Sequence, residues 1–453
     1  MDFENMNKKK IIFIVIAAII FIFIVIMFLT LEKSQKIKNN NTWWELTIWW
    51  FGDKKEDLFT FVEDFKQETW NTQLLTNVES FDSWEEYNLA LASAISAWKA
   101  PDVFILNWSE KSIFEEQVMA LDPAVFDADK FKNDYKSFFV DKLIFTTVLD
   151  EKENKKSSFV VWIPVWYEQL WVFYNRLKWI QASDFDSWAA LNKRIQVLKE
   201  RRPSMVPLWI WRWDTVYNSN DIITQFLMLE WIDSLDFVSG SKLKSALSTY
   251  FMYADSKVNW YDEKVNIMNS SGKNNLDYFS RWEIAMVIWY PKMLLDIDKK
   301  GFRKSALYAK PFPWYFNGSG KSLVNYNYFV INKDAQNESA AVAFLQYLNS
   351  DKGALKYLEK FPYYLPARVS LEEDVLDMPI IDWYNIKKED FNNPDLEKAS
   401  FDKKVKLIYD REIVNVLDDN VSYLEKFTKM KNSLICKFNK IVKLEGLSVS
   451  CDK

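Results

Sequence analysis

A chain closes its helices and tight turns with residues that tolerate a left-handed backbone, chiefly glycine. This chain has 8 glycines against 22 tryptophans in 453 residues, where ordinary usage would supply roughly 32 glycines. Four of the tryptophans share a position. Trp70 follows the amphipathic run FVEDFKQET, Trp98 follows LALASAISA, Trp179 follows VFYNRLK and Trp231 follows ITQFLMLE. Each stands just past a helical pattern, where a bulky L-residue costs about 1–2 kcal/mol in the left-handed region. Genuine core aromatics are one explanation. The expectation adopted is the other: UGA codons that mean glycine in the source and are written as tryptophan. Reassigning about fifteen of them would restore a glycine content of about 23 residues, near the usual few per cent.

Other absences exclude whole chemistries. There is no histidine, so Ser-His-Asp and Cys-His catalysis and imidazole metal sites are ruled out. Two cysteines cannot build a disulfide framework or a Cys-only zinc centre. Cys436 and Cys451 are open to one disulfide, to remaining free, or to pairing between chains. With 58 basic and 63 acidic residues the net charge is −5, which argues against nucleic acid as the main partner. No metal or other cofactor is expected.

Residues 11–31, IIFIVIAAIIFIFIVIMFLTL, carry no charge. As a helix they reach about 31 Å, the depth of a bilayer's hydrocarbon core. A buried soluble helix and a cleaved signal peptide are the alternatives. Signal-peptide apolar regions are usually about 7–15 residues, and neither an A-x-A site nor a cysteine follows. Lys8, Lys9 and Lys10 precede the span, so the positive-inside rule puts the N-terminus in the cytoplasm and the bulk of the chain outside. The expectation is an uncleaved transmembrane anchor (residues 1–31 with its cytoplasmic stub) and a polar linker over 32–43.

Beyond the linker, short apolar runs alternate with helical patterns. Residues 46–51, 101–106, 159–165, 170–174 and 283–288 read as extended. Leu58, Phe61, Val62 and Phe65 mark one helix face; Ser83 opens a helix to about residue 97; Asp186 and Ser187 cap one through Leu191, Ile195 and Leu198. Residues 222–229 are helical, Asn337 caps 340–348, and Asp351 starts another helix. This alternation predicts an α/β protein with largely parallel sheet. Residues 403–443 read as helical, with Lys426, Lys429, Lys431, Lys437, Lys440 and Lys443 making the tail basic. A solvated face is the preferred reading there; a membrane or partner contact is the alternative.

Several segments, taken in order, resemble the extracellular solute-binding proteins of ABC importers, in the large maltose-binding-like family. They are LTIWWFGD (46–53), SAWKAPDVFILN (96–107), WIPVWYEQLWVFYNR (162–176), FDSWAAL (185–191), SRWEIAMVIWYP (280–291), PFP (311–313), NYNYFVINK (325–333), AFLQYLNSDKGALKYL (343–358) and YLPARVS (364–370). In that family the positions of Trp98, Trp166, Trp171, Trp282 and Trp289 are typically glycine, whereas the tryptophan matching Trp188 is typically real. The chain departs from the common lipoprotein form in lacking a lipobox cysteine. The resemblance implies a two-lobed, type II periplasmic-binding-protein-like α/β fold; the N-terminal transmembrane helix read from residues 11–31 is added to it, a departure from the common lipoprotein form. The N-lobe would take residues 44–165 and 327–372, the C-lobe 166–326 and 373–432, and a basic tail 433–453. Crossings are expected near 165–170, 325–328 and 370. It further implies ligand capture by lobe closure, with importer permease subunits as partners.

Ligand-facing groups in such folds come from loops at the carboxyl ends of strands. The candidates are Asp53, Asn107, Trp108, Tyr167, Glu168, Asn218, Asn220 and Tyr290. Their amides and carboxylates suit sugar hydroxyls, and their rings suit a pyranose face. Against this, Asn220 equally fits a helix cap, Trp108 is a candidate glycine, and Tyr167 and Tyr290 equally fit the core. Arg368 reads as a structural ion pair. NGSGKS (317–322) lacks the glycine spacing and preceding strand of a phosphate loop. Pairs such as Glu85/Glu86, Glu115/Glu116 and Asp418/Asp419 read as solvated faces. The leading function is a membrane-tethered receptor delivering a sugar or oligosaccharide to an ABC importer, and not an enzyme. The alternatives are an anchored two-carboxylate glycosidase and a surface interaction protein without transport.

Overall fold

Leu46, Ile48 and Trp50 alternate with more exposed neighbours along β1 (Glu45–Phe51) and are fully buried, the period-2 pattern of a strand with one face in the core. In this computed structural model the described residues are 45–107, 114–150, 155–175, 179–210, 216, 218–229, 250, 252–253, 264, 271, 273–293, 297, 299–303, 306–313, 322–376 and 396–397. The expected anchor, linker and basic tail, with Trp108, Trp231, Cys436 and Cys451, lie outside them. Among the described residues no helix is long and apolar enough to cross a membrane. The chain divides into two units, one up to Phe104 plus Ile331–Phe344, the other Ile105–Val330 plus the chain from Leu345.

In the first unit, α1 (Lys55–Glu68) buries Leu58, Phe61, Val62 and Phe65, the face the sequence marks. Phe61 and Phe65 meet the Phe344 ring edge-on at 6.2 and 5.2 Å. The chain returns as β2 (Leu75–Phe81), parallel to β1 from Glu45↔Leu75 to Phe51↔Phe81. The Ser83 hydroxyl accepts from the Glu86 N–H and opens α2 (Trp84–Ser96). β3 (Val103–Asn107) then lies parallel on the other side of β1. β2 was not expected from the sequence: within LTNVESF only Val78 is buried, so its apolar signal is weak.

Asp102, 3% exposed, ties this unit together. One carboxylate oxygen accepts the Thr47 N–H of β1 at 2.9 Å, and the other accepts the Asn337 N–H at 2.9 Å. Its own backbone N–H reaches the Thr47 carbonyl, and its carbonyl accepts the Asn332 N–H. Asn337 in turn caps the helix Glu338–Leu348 by accepting the Ala340 N–H, as expected.

In the second unit two short helices, Ala128–Asp134 and Ser137–Leu143, lead into the antiparallel hairpin β4 (Ile144–Asp150) and β5 (Lys155–Val160). Then follow β6 (Ile163–Pro164), β7 (Trp166–Gln169) and β8 (Trp171–Asn175), so the run read as 159–165 is broken into separate strands. Ser187 caps α3 (Trp188–Arg201), and β9 (Val206–Leu208), α4 (Ser219–Leu229), α5 (Asn275–Ser280), β10 (Ile284–Trp289) and β11 (Leu307–Pro311) follow. β12 (Ser322–Asn325), β13 (Asn327–Ile331), α6 (Asp351–Lys360), β14 (Leu365–Pro366) and β15 (Leu396–Glu397) complete it.

One sheet has the order β11-β8-β10-β9 and another β14-β7-β12-β15. Trp188 centres the core beside the first, packed against Phe226 at 4.9 Å and Phe312 at 5.1 Å. The expectation of largely parallel sheet needs correcting here. β10 is parallel to β9, but β8 is antiparallel to both β10 and β11, and β7 to both β12 and β14. Parallel neighbours arise where a helix carries the chain back over a sheet; these antiparallel partners are brought in by separate, later passes of the chain.

Four tryptophans stand in the left-handed region: Trp70 (φ 58°), Trp98 (φ 57°), Trp179 (φ 67°) and Trp282 (φ 68°). Trp166, Trp171 and Trp289 are instead buried strand residues.

Replacing Asp102 by Ala orphans two backbone N–H groups and should lower folding stability by about 2–3 kcal/mol. Asp102→Asn keeps one acceptor and should lose about half of that. Thermal denaturation of the two variants checks both the size and the order.

Candidate functional site

β7 sends alternate residues to opposite faces, and this separates two of the candidates. Tyr167 turns into an aromatic core, with Phe138 at 5.3 Å, Phe139 at 6.3 Å and the Lys136 ammonium 5.7 Å from its ring. Burial, then the charge of Glu372, pushes its hydroxyl far above the ordinary value. Glu168 lies on the other face, 7% exposed, in register with Asn325 of β12.

Around Glu168 the second unit collects polar groups. Asn107, at the end of β3, donates from Nδ2 to Asn327 Oδ1 at 3.0 Å and to Asn325 Oδ1 at 3.5 Å. The Tyr328 hydroxyl donates to the Asn107 carbonyl at 3.4 Å. Tyr290, just past β10, donates to Asp221 Oδ2 at 3.0 Å. Burial first, then the negative charges of Asp221 and Glu168, holds the Tyr290 hydroxyl well above its ordinary value of 10.0. It therefore stays a proton donor at any physiological pH. Glu168 therefore lies within electrostatic reach of Tyr290.

Asp221 sits in the first turn of α4, where a carboxylate is favoured by the exposed N–H groups. Asn218 precedes it with φ 53° and accepts the Ile222 N–H at its carbonyl; asparagine tolerates that conformation better than most residues. Asn220 is a helical residue of the same turn, and its side chain lies outside the description, as does the whole of Trp108. Asp53 belongs to the first unit, buried, and accepts the Trp50 indole N–H at 3.2 Å.

An aromatic wall lies on the Glu168 side of β7. Trp166 stacks on Tyr364 with centroids 3.9 Å apart and planes 5° from parallel, and its indole N–H donates to the Tyr357 hydroxyl at 3.1 Å. Lys292, two residues after Tyr290, holds its ammonium 5.8 Å from the Tyr364 ring and 3.4 Å from its hydroxyl.

Of the eight candidates, Asn107 and Tyr290 each belong to a hydrogen-bonded group, Glu168 is in register with Asn325 and acts electrostatically on Tyr290, and Asn218 starts the helix that supplies Asp221. The sequence reading missed Asp221, Asn325, Asn327 and Lys292. Asn325 and Asn327 lay inside NYNYFVINK, and Lys292 directly follows SRWEIAMVIWYP; position beside a strand end was the available signal. Arg368 is structural, as expected. It is 6% exposed and binds Asp351 Oδ1 at 2.6 Å, Asp134 Oδ2 at 2.9 Å and the Asn349 carbonyl at 2.7 Å. Among the described residues no group of three or more acidic or cysteine side chains could hold a metal ion.

These groups bring carboxylate and amide acceptors, amide and hydroxyl donors and flat aromatic faces into the second unit. The comparisons agree with the fold. The chain is similar to the GacH receptor of Streptomyces glaucescens (16% identity over 88% of this chain and 98% of that one, TM-score 0.64). It is similar to an ABC substrate-binding protein of Listeria monocytogenes (16%, 89% and 99%, TM-score 0.64) and to the sugar-binding protein MalE of Xanthomonas citri (15%, 89% and 100%, TM-score 0.63). No curated protein matches by sequence. Residues 60–382 match the family model of the bacterial extracellular solute-binding proteins, and the chain belongs to that family. Its members are substrate-binding proteins, not enzymes, which removes the glycosidase alternative.

Burial pushes the Asp351 carboxyl up, but hydrogen bonds from Ser370 and Arg368 outweigh it and hold the group below its ordinary 3.8. Its stabilising contribution is therefore complete above pH 3.8 and is lost as the pH falls through the lower, folded-state value. Arg368→Ala should cost about 2 kcal/mol at neutral pH. Acid titration of thermal stability should show a shallower loss below that pH in the variant than in the parent.

Proposed function

We propose that this protein is a membrane-anchored extracellular receptor that captures a sugar or oligosaccharide and delivers it to an ABC importer. The observation that carries the reading is the Asn107–Asn325–Asn327 and Tyr290–Asp221 network beside Glu168. Its directional donors and acceptors next to stacked rings match what a pyranose offers, hydroxyls at the edge and apolar faces. Three similar structures support the ligand class: the GacH receptor was determined with acarbose, the Listeria protein with cycloalternan, and a cyclo/maltodextrin-binding protein with maltotetraose.

Asp53, Asn107, Trp108, Glu168, Asn218, Asn220 and Tyr290 form the proposed contact set, extended by Asp221 and Lys292; Tyr167, fully buried among Phe138 and Phe139, is left out of it. The lobes are proposed as 44–165 with 327–372 and 166–326 with 373–432. The adjacency of β7 to both β12 and β14 supports crossings at those points. Ligand would shift the lobes from open to closed, and the permease subunits would bind the closed form. Residues 11–31 would hold the receptor at the membrane, with the rest outside the cell.

A thermal-shift panel of mono- and oligosaccharides, polyols and peptides tests the ligand class. A bound sugar at a hundredfold excess over its Kd should add about 2.7 kcal/mol of stability, and the sugar should be recovered unchanged. A shift with peptides alone, or with no sugar, overturns the reading. Glu168→Gln and Asp221→Asn should each weaken sugar binding about tenfold, the loss of one charge-assisted hydrogen bond. Calorimetric titration measures it. Separately, full-length protein should sediment with membranes, and a chain lacking residues 11–31 should not.

A further inference from the structure

Three helices of this protein end in the same closed loop. After α1, the Trp70 N–H donates to the Gln67 carbonyl at 3.3 Å and the Asn71 N–H to the Lys66 carbonyl at 2.9 Å. After α2, Trp98 bonds Ile95 at 3.1 Å and Lys99 bonds Ala94 at 2.9 Å. After α5, Trp282 bonds Phe279 at 3.0 Å and Glu283 bonds Tyr278 at 3.1 Å. This paired pattern is the Schellman closure, and it requires a left-handed residue at the position each tryptophan holds. The φ angles of 58°, 57° and 68° meet that requirement; Trp179 is also left-handed at 67°, but it follows the strand β8 and not the helix read from VFYNRLK. Gly301 supplies the internal standard: at φ 71° it allows the Phe302 N–H to reach the Ile297 carbonyl, six residues closed as one.

The side chains give little in return for the backbone strain. Trp70 is 90% exposed, Trp98 79% and Trp179 60%. Trp179 has the Arg201 and Arg202 guanidinium groups 5.6 and 5.8 Å from its ring, and Trp282 stacks on Phe302 at 5.2 Å. Trp50 and Trp188 belong to a different population. Both are buried with ordinary backbone, one donating to Asp53 and the other packed among Phe226, Phe312 and Tyr253. Exposure and handedness therefore sort the tryptophans into two kinds.

We propose that Trp70, Trp98, Trp179 and Trp282 are encoded by UGA and are glycine in the protein its own cell makes, whereas Trp50 and Trp188 are genuine tryptophans. Left-handed backbone at all four positions, the hydrogen-bond closure at 70, 98 and 282 and the exposed rings at 70, 98 and 179 all follow from one substitution of glycine at each place. The inference does not depend on the solute-binding reading.

The coding DNA decides it: TGA is expected at positions 70, 98, 179 and 282 with TGG at 50 and 188, and TGG at the four left-handed positions overturns it. Thermodynamics gives a second test in the chain as written. Trp70→Gly and Trp98→Gly should each raise the folding equilibrium constant about tenfold by removing the left-handed penalty, and Trp188→Gly should lower it. Unchanged or reduced stability in both Trp70→Gly and Trp98→Gly overturns the structural argument on which the proposal stands.

Discussion

The first unit depends on where one carboxylate finds its protons. Asp102 lies just ahead of β3, yet its two oxygens are committed to β1 and to the residue that caps the helix Glu338–Leu348. Segments separated by 55 and 235 positions are thereby fixed at a single buried point. Hydrophobic burial supplies most of the stability of such a unit but is indifferent to orientation. Directional bonds to a buried charge select among the packings that burial alone would accept, and this arrangement aligns β1 with β3 before any ligand chemistry is considered.

The second unit solves a different problem, since three passes of the chain must meet in one small sheet. β7 is its centre, flanked by β12 and β14. Because both partners run antiparallel to it, each faces β7 through directly opposed residue pairs, and Glu168 finds Asn325 opposite. The aromatic packing of Trp166 on Tyr364 and the Arg368 ion pairs hold the returning chain against this strand. Glu168 and Asn325 are thus mounted on paired strands and not on loops, which restricts their freedom.

How much of this could be read from the sequence varies with the range of the interaction. Helix faces and starts were legible because they are local: the Leu58–Phe65 stripe and the caps at Ser83, Ser187 and Asn337 each involve residues a few positions apart. The strand ends that carry Asn107 and Tyr290 were legible for the same reason. Asp221 and the Asn107–Asn327 bond were not legible, since the partners lie 69 and 220 positions apart. Tyr167 and Glu168 looked equivalent as neighbours in a motif, and only the pairing of β7 tells which one faces the core. The parallel-sheet expectation held around β1 but failed in the second unit on the same ground, as strand direction is set by where later passes enter.

That alternation on β7 has an evolutionary consequence. One face of the strand, carrying Tyr167, is locked into close-packed rings and tolerates little change of shape. The opposite face, carrying Glu168 beside Asn325, is governed by hydrogen-bond chemistry that small polar exchanges can retune. Substitutions on the second face can therefore accumulate while the first keeps the strand in place. Insertions of a single residue are a different matter, because they exchange the two faces and sacrifice both functions at once.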